Sequence, residues 1–207
     1  MTKYDILADM TSTLVAREAG SQWIVVPGVS ISTKATAIDA GGAYAGRSLV
    51  IEGKVASSAG NGIVLGASTI AAKAGEFTVK DTGTVSAKLA GLTAAGNELV
   101  ITVQGTLSGG TAAGVFTGAN LKFTNRGSVL SSDGLGVKAT GNNVLVNNSG
   151  LLKSADDAVT VSGTTAIINN DGHIQSTAAD GIRSAGLKAI VTNNGTIDSK
   201  LDAITVT

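Results

Sequence analysis

Glycines and apolar residues recur along this chain with a period near 22 residues. Seven glycines mark the period: the first interval is 30 residues and the next five are 22, 22, 23, 22 and 23. These marker glycines are Gly53, Gly83, Gly105, Gly127, Gly150, Gly172 and Gly195. A fixed period of this length predicts one structural unit stacked repeatedly on itself.

Two apolar columns accompany the marker glycines, and no polar residue interrupts either of them. The residues two positions after each glycine are Val55, Val85, Leu107, Val129, Leu152, Ile174 and Ile197. The residues four positions before each glycine are Leu49, Val79, Ile101, Phe123, Val146, Ile168 and Val191. Both columns are predicted to face the core.

Each repeat divides into three short runs in which inward and outward residues alternate. In residues 166–186 the runs place Ile168, Ile174 and Ile182 on the inner side. Period-2 alternation in runs of four or five residues predicts strands rather than helices. Three strands in about 22 residues predict one turn of a three-sided parallel β-helix. The predicted fold is therefore all-β, a solenoid of about seven to eight coils with an N-terminal cap.

The third strand of each repeat is predicted from two further columns. The first is Ile63, Leu92, Val115, Leu135, Val159, Ile182 and Ile204, and the second is Leu65, Ala94, Thr117, Val137, Val161, Ser184 and Val206. Five corner glycines each precede the next marker glycine by nine residues: Gly96, Gly118, Gly141, Gly163 and Gly186. The 30-residue interval then predicts an ordinary coil with an eight-residue insertion near residues 68–75.

The two ends of the chain depart from the repeat. Residues 1–22 are predicted to be a cap, either irregular or a short amphipathic helix, because Ile6, Met10 and Leu14 lie four residues apart. Residues 23–207 are predicted to be the β-helix domain. Its first coil is imperfect. Ile24 lies four residues before Gly28, as the repeat requires, but Ser30, two residues after Gly28, stands where an apolar residue is expected. The last strand stops in mid-pattern, which predicts the cut edge of a longer protein or a docking face.

Two polar columns in the C-terminal half are interpreted as structural ladders. Stacked side chains lie about 4.8 Å apart, so an amide can donate to the next amide along the axis. The asparagine ladder is Asn125, Asn148, Asn170 and Asn193, which follows Ile51, Asp81 and Val103 in the N-terminal half. The serine ladder is Ser131, Ser154, Ser176 and Ser199.

An acidic column is the sharpest candidate for a functional site. Its members are Asp133, Asp157, Asp180 and Asp202, each two residues before a predicted third-strand apolar position. Stacked carboxylates repel unless a cation or hydrogen bonds intervene. One hypothesis is a cation-binding or carbohydrate-binding edge, with calcium as the cation. The favoured one is that each Asp opens its strand with an Asx-type bond to nearby backbone.

Composition narrows the function classes. Hydrophobic residues make up 43% of the 207 residues but aromatics only 3%, which suits a narrow core of regular layers. Fifteen basic and fifteen acidic residues give no basic field for nucleic acid, and no apolar run is long enough for membrane insertion. Cysteine is absent, and residues 1–20 contain no signal-peptide h-region. The only histidine, His173, is expected to be a surface residue.

No catalytic residues and no cofactor are predicted, because no spacing typical of a hydrolase, metalloprotease or phosphate-binding loop occurs. The coils FTNRGSVLSS, VNNSGLLKSADDAVTVSG, INNDGHIQSTAADGIRSAG and VTNNGTIDSKLDAITV resemble repeats of bacterial surface and secreted β-helix proteins. Adhesin, haemagglutinin-like and autotransporter passengers, and long proteins with C-terminal calcium-binding repeats, carry similar coils. The resemblance implies a right-handed β-helix with an extracellular or cell-surface, non-catalytic role. Its partners would be a surface carbohydrate, a protein, or further copies through end-to-end self-association.

Two other function classes stay open. Polysaccharide lyases and hydrolases on β-helices place carboxylates in a groove walled by long loops. A polymerising solenoid of the bactofilin type would use its open apolar ends. A cleft with clustered charges would indicate the enzyme, and concentration-dependent assembly would indicate the polymer.

Overall fold

The computed structural model describes residues 1–42, 46–66 and 75–207. All regular secondary structure in these residues is β-strand. The first face of the stack contains β1 (Lys3–Ile6), β3 (Gln22–Val25), β6 (Ser48–Ile51), β9 (Glu76–Val79), β12 (Val100–Val103), β15 (Lys122–Asn125) and β18 (Val144–Asn148). The second face contains β4 (Ser30–Thr33), β7 (Lys54–Ser57), β10 (Thr84–Ala87), β13 (Thr106–Gly109), β16 (Ser128–Ser131), β19 (Leu151–Ser154), β21 (His173–Ser176) and β23 (Thr196–Asp198).

The third face contains β2 (Leu14–Val15), β5 (Ile38–Ala40), β8 (Ile63–Gly66), β11 (Ala90–Ala95), β14 (Ala112–Thr117), β17 (Leu135–Thr140) and β24 (Ile204–Val206). Two long strands, β20 (Val159–Asn170) and β22 (Ile182–Asn193), begin on the third face and turn the corner onto the first. The first and third faces are therefore one continuous sheet, and the second face is a separate sheet.

Every strand pairs in parallel with the same strand of the neighbouring turn. Val129 on the second face, for example, pairs with Leu107 below it and Leu152 above it. The turns number about eight and lie about 23 residues apart, and the described residues contain no helix. The predicted all-β, three-sided parallel β-helix is confirmed.

The first sixteen residues form a turn of the stack, so the predicted amphipathic helix is wrong. Strand β1 pairs with β3, Met10 bridges to Ile31, and β2 pairs with β5. Ile6, Met10 and Leu14 lie four apart because each faces inward from a different side of one turn. The ring of Tyr4 stacks on that of Trp23 in the turn above, with centroids 4.2 Å apart.

The marker glycines are explained by close approach between turns. A Cβ built on Gly127 would lie 2.1 Å from the carbonyl oxygen of Gly105, and one on Gly150 would lie 2.2 Å from that of Gly127. No side chain fits at such distances, because real Cβ contacts are essentially never under 3.0 Å. The period in the sequence is therefore the repeat of a backbone corner that stacks on itself.

The second-face column is confirmed at every predicted position, and the first-face column needs one correction. Leu49 pairs with Phe77, and Val79 instead pairs with Ile51. Asp81 therefore lies outside the column that leads to the asparagines, and Val79 takes its place. The reason is a longer corner: Val79 and Val85 are six residues apart, whereas Val103 and Leu107 are four apart.

The register predicted for the first complete coil is also wrong, because that coil has the same longer corner. Trp23 pairs with Leu49 and Val25 with Ile51, so Ile24 is not in the inward column. On the second face the inward residue is Ile31, which pairs with Val55, and the polar Ser30 lies on the outer side. The apparent irregularity at Ser30 is therefore a shift of one residue, and the core column continues through it.

The third-face columns are wrong in two adjacent turns, and in the first of them a glycine occupies the core position. Leu92 pairs with Gly114, and Gly114 pairs with Val137, in place of the predicted Val115 and Leu135. Two residues further on, the core residues are Phe116 and Ala139 rather than Thr117 and Val137. A Cβ on Gly114 would lie 2.3 Å from the Phe116 ring, so the ring fills the space of the missing side chain.

The extra residues of the 30-residue interval before Gly83 are distributed over several corners. The predicted insertion near residues 68–75 lies outside the described residues, except for Gly75. Leu65 and Phe77 are twelve residues apart, against seven between Ala94 and Ile101 in the next turn. The remaining extra residues lie at the corner before Gly83 and at the corner before Ile63.

The register predicts that the same substitution costs much more stability at Ile168 than at the adjacent Ile167. Ile168→Asp would bury a carboxylate without a partner at a fully buried position, and we expect a loss of about 4 kcal/mol or more of unfolding free energy. Ile167→Asp is the matched control, because Ile167 faces outward and is 36% exposed; its cost should stay under about 1 kcal/mol. Urea denaturation of both variants measures the difference, and equal stabilities would show that the register is wrong.

Candidate functional site

The acidic column lies where the third face begins and joins successive turns. Asp157 and Asp180 are buried, 6% and 7% exposed. The Oδ1 atom of Asp157 accepts the backbone N–H of Asp180 at 3.1 Å, and Oδ1 of Asp180 accepts that of Asp202 at 3.1 Å. These bonds run along the axis to the next turn, unlike the local Asx-type bond that the sequence suggested.

An uncharged side chain performs the same task in an earlier turn. Asn61 lies two residues before the third-face residue Ile63, and its Oδ1 atom accepts the backbone N–H of Ala90 at 3.1 Å. A carbonyl oxygen at this position is therefore sufficient to join two turns. The negative charge of the aspartates is not required for the bond.

Three of the four predicted aspartates share the column, and Asp133 does not. Val137 pairs with Val159, so Leu135 stands in the turn below Asp157 and Asp133 lies two positions earlier. Among the described residues, no three histidine, aspartate or glutamate side chains come together as a metal site requires. Calcium binding stays an untested hypothesis, and the favoured prediction is that the aspartates are structural.

The charge of Asp157 has one cation and one hydroxyl near it. Its Oδ2 atom lies 3.8 Å from Nη1 of Arg183, and the hydroxyl of Thr160 donates to it at 3.4 Å. The Arg183 side chain is about half exposed, so solvent screens this pair. The column is held chiefly by its backbone hydrogen bonds.

The asparagine ladder is buried and continuous, as predicted. The Nδ2 atoms of Asn125, Asn148 and Asn170 each donate 2.7 Å bonds to Oδ1 of the asparagine in the next turn. A second proton of each amide goes to a backbone carbonyl near the marker glycine; Asn125, for example, donates to the carbonyl of Leu151 at 2.9 Å. Asn193 ends the ladder at an exposed position. The ladder satisfies the polar groups of a buried corner.

The serine column bonds to backbone rather than to itself. The hydroxyls of Ser131, Ser154, Ser176 and Ser199 donate to the carbonyls of Gly110, Asp156, Asp156 and Leu201, respectively. All but Ser199 are buried. These serines close the corner before the third face.

His173 has a partner that the sequence columns did not reveal. Its Nε2 atom lies 2.9 Å from Oδ2 of Asp198 in the next turn, and both side chains are exposed. The two residues occupy different outward columns of the second face, so the contact is diagonal. Reading each column separately could not find it.

A buried arginine is among the polar residues that the sequence reasoning missed. Arg47 is 2% exposed and donates to the carbonyls of Ala16, Gly41 and Gly66 at 2.9, 3.2 and 3.2 Å. It directly precedes β6, at the position that Leu99 and Leu121 occupy before later first-face strands and that Val144 occupies as the first residue of β18. Nothing in the repeat distinguishes it, because this column was not recognised as a core position.

Arg47 also acts on a neighbouring carboxyl group. Burial raises the pKa of Asp39, but the hydrogen bonds from Arg17 and the Gly41 N–H and the charges of Arg17 and Arg47 outweigh it, so that pKa lies below its ordinary value. The hydroxyl of Tyr4 donates to the carboxylate of Glu18, and this bond raises the pKa of Tyr4. Both contacts tie the first turns together and are not arranged around a cleft.

The outer side of the first face carries a shallow polar groove in the C-terminal half. Its volume is ≈ 410 Å³. Two adjacent columns form it: outward residues of the first-face strands and residues at the corner that follows. The residues of this first-face groove are Lys122, Thr124, Arg126, Asn147, Asn148, Ser149, Asn169, Asp171, Thr192 and Asn194. Hydrogen bonds of 2.9 Å join Asn169 to Asn147 and Asn194 to Asp171 across turns.

Comparison with known proteins assigns no family to this chain. No protein-family model, curated protein or solved structure matches it. Over the described residues, the chain has no helix with the length and apolar character needed to cross a bilayer. The geometry of the polar columns and of the groove therefore carries the functional argument.

Breaking the asparagine ladder in its middle should cost more than shortening it at its end. Asn148→Val places an apolar residue like those earlier in the column, but it leaves the amide of Asn125 and the carbonyl oxygen of Asn170 without their partners. We expect the free energy of unfolding to fall by about 2–4 kcal/mol, which is the cost of one to two unsatisfied buried groups. Asn193→Val, at the exposed end, should cost under about 1 kcal/mol. Thermal denaturation measures both, and equal losses would contradict a ladder whose bonds matter.

Calcium should change the stability of the domain little, because the buried column oxygens already hold backbone N–H groups. We expect no more than a slight change of melting temperature in millimolar calcium. Asp180→Asn keeps a carbonyl oxygen for the Asp202 N–H, as at Asn61, and should be at least as stable as the parent without calcium. A cation edge would instead give roughly 1–3 kcal/mol of calcium-dependent stabilisation. Such a shift in the parent, lost in Asp180→Asn, would make this column a metal site.

Proposed function

We propose that this chain is a non-catalytic interaction scaffold, a structural solenoid of a bacterial secreted or cell-surface protein with an adhesin-like role. One observation carries the proposal: the polar side chains inside and at the corners of the stack join one turn to the next. Asp157 and Asp180 hold backbone N–H groups, and the asparagines bond to one another. Groups committed to stacking support a scaffold, whose outward residues are left to contact partners.

The polysaccharide-acting enzyme is the alternative. Glycoside hydrolysis needs two carboxyl groups that flank one bond of the substrate. Asp157 and Asp180 stand in one column, are buried, and each accept a backbone N–H. The exposed pair of His173 and Asp198 lies on the outward side of the second-face strands. This arrangement favours the scaffold.

A self-assembling solenoid is a second candidate, favoured by the register of the apolar columns. A second copy stacked in register would place Met10 against Ile197 and Leu14 against Ile204, so apolar columns would continue between copies. End-to-end association of this kind is compatible with a scaffold and would lengthen it.

The proposal is tested by assaying the purified chain on pectin, alginate and cellulose. We expect no release of reducing ends and no unsaturated products above the level of a heat-denatured sample, because the column carboxylates Asp157 and Asp180 are buried and each already accepts a backbone N–H. Cleavage that is abolished in Asp157→Asn or Asp180→Asn would overturn the proposal in favour of the enzyme. Asp133→Asn, which changes a carboxylate outside the column, is the matched control and should leave any such cleavage unaffected.

A further inference from the structure

We propose that the first-face groove binds a neutral, hydroxyl-rich glycan chain that lies along the axis of the stack. The inference rests on the proposed function, because it names the partner class of an interaction scaffold. The residues that carry it are outward ones and are separate from the acidic column, and of the buried asparagine ladder only Asn148 lines the groove. Its support comes from the spacing, order, charge and backbone pairing of the groove.

The groove offers hydrogen-bonding side chains in regular steps along the axis. Thr124, Asn147, Asn169 and Thr192 are paired successively in parallel register, so they form one outward column. Neighbouring strands lie about 4.8 Å apart. This step is close to the length that one pyranose unit adds to an extended glycan. Successive sugars would therefore meet equivalent amides and hydroxyls.

The amides of the groove are held in place before any ligand arrives. Asn169 donates to Asn147 at 2.9 Å, which fixes both carboxamide planes and leaves the second N–H of Asn169 and the N–H groups of Asn147 to donate elsewhere. Asn194 is fixed in the same way by Asp171 in the adjacent column. Fixed donors and acceptors lose little conformational entropy on binding.

The backbone of strands β15, β18 and β20 offers a peptide strand no edge to pair with. Strands β15, β18 and β20 are paired on both sides within the groove, so they present no free sheet edge for an added strand. Only side chains face the ligand. A glycan, which hydrogen-bonds through hydroxyls and needs no β-pairing, is suited to this surface.

The charges and the neighbouring apolar row favour a neutral sugar. The charged members of the groove, Lys122, Arg126 and Asp171, are exposed and of both signs, whereas its central column is uncharged. Beside that column run Leu145, Ile167 and Ile190, which are half-buried to exposed. Aliphatic side chains next to amides suit a pyranose, whose ring has apolar C–H faces and a polar rim.

The test is a titration of the isotopically labelled 207-residue chain with cellohexaose, maltohexaose and mannohexaose, followed by nuclear magnetic resonance. At least one glycan should shift the side-chain amide signals of Asn147 and Asn169 saturably in the millimolar range. The side-chain amide of Gln175, outward on the second face of the same turn, should not move. Asn169→Ala should weaken binding by about tenfold, as expected for one or two lost hydrogen bonds. Gln175→Ala is the matched control and should bind as the parent does.

Thermal denaturation of each variant checks its fold, and Thr192→Val, at the exposed end of the column, serves if Asn169→Ala is unstable. No saturable shift with any of the three glycans, or binding unchanged in a folded Asn169→Ala or Thr192→Val, would overturn the proposal. Sedimentation over a concentration series reports self-association; groove signals that shift with protein concentration alone would mean that a second copy occupies this face. New reducing-end signals from the glycan would overturn the proposed non-catalytic function but leave groove binding standing.

Discussion

The structure depends on the separation of stacked turns, which is the distance between hydrogen-bonded parallel strands, about 4.8 Å. At that separation each position meets the same position of the next turn directly, so a residue is accepted only if it can stack on its own equivalent. The corner at Gly105, Gly127 and Gly150 is the strictest case, since its carbonyl oxygens leave no room for a Cβ in the turn above. The glycine period in the sequence is the direct consequence.

The same separation makes buried polar groups acceptable when they recur. An asparagine alone in this core would leave donors unsatisfied, but Asn125 and Asn148 satisfy each other at 2.7 Å. The first asparagine of the ladder, Asn125, lies above the apolar Val103. Its Oδ1 atom still has a partner, because it accepts the N–H of Gly127 in its own turn. Amide and carboxylate columns thus fix the register of the turns. Apolar columns alone fix it less strictly.

Sequence reasoning succeeded where register could be counted from a fixed corner. The second-face column lies two residues after each marker glycine and was predicted without error. Counting failed on the third face, because Gly114 leaves a core position empty and the ring of Phe116 fills it. A pattern of apolar letters cannot represent a side chain that packs into the space of another position.

Contacts between columns were also beyond the sequence. The diagonal pair of His173 and Asp198 and the buried guanidinium of Arg47 each depend on how far apart two columns or two turns lie at a corner. The first-face groove needs the same information. Asn147 and Asn169 directly precede the ladder residues Asn148 and Asn170, but they form a groove with the corner residues only when the turns stack. Its amides are ordinary asparagines in the sequence and become an array when Asn147 and Asn169 stack.

Stability and recognition are therefore assigned to different positions of the repeat. Inward residues and corner residues must match their neighbours above and below, so the fold largely determines which residue types occupy these positions. Outward residues such as Thr124 and Asn147 meet only the adjacent turn and solvent, so they can vary between turns at small cost. Where outward residues nevertheless form consecutive hydrogen-bonding columns, stacking alone does not require them. That excess of order on the outer side of the first face is the physical reason to place partner recognition there.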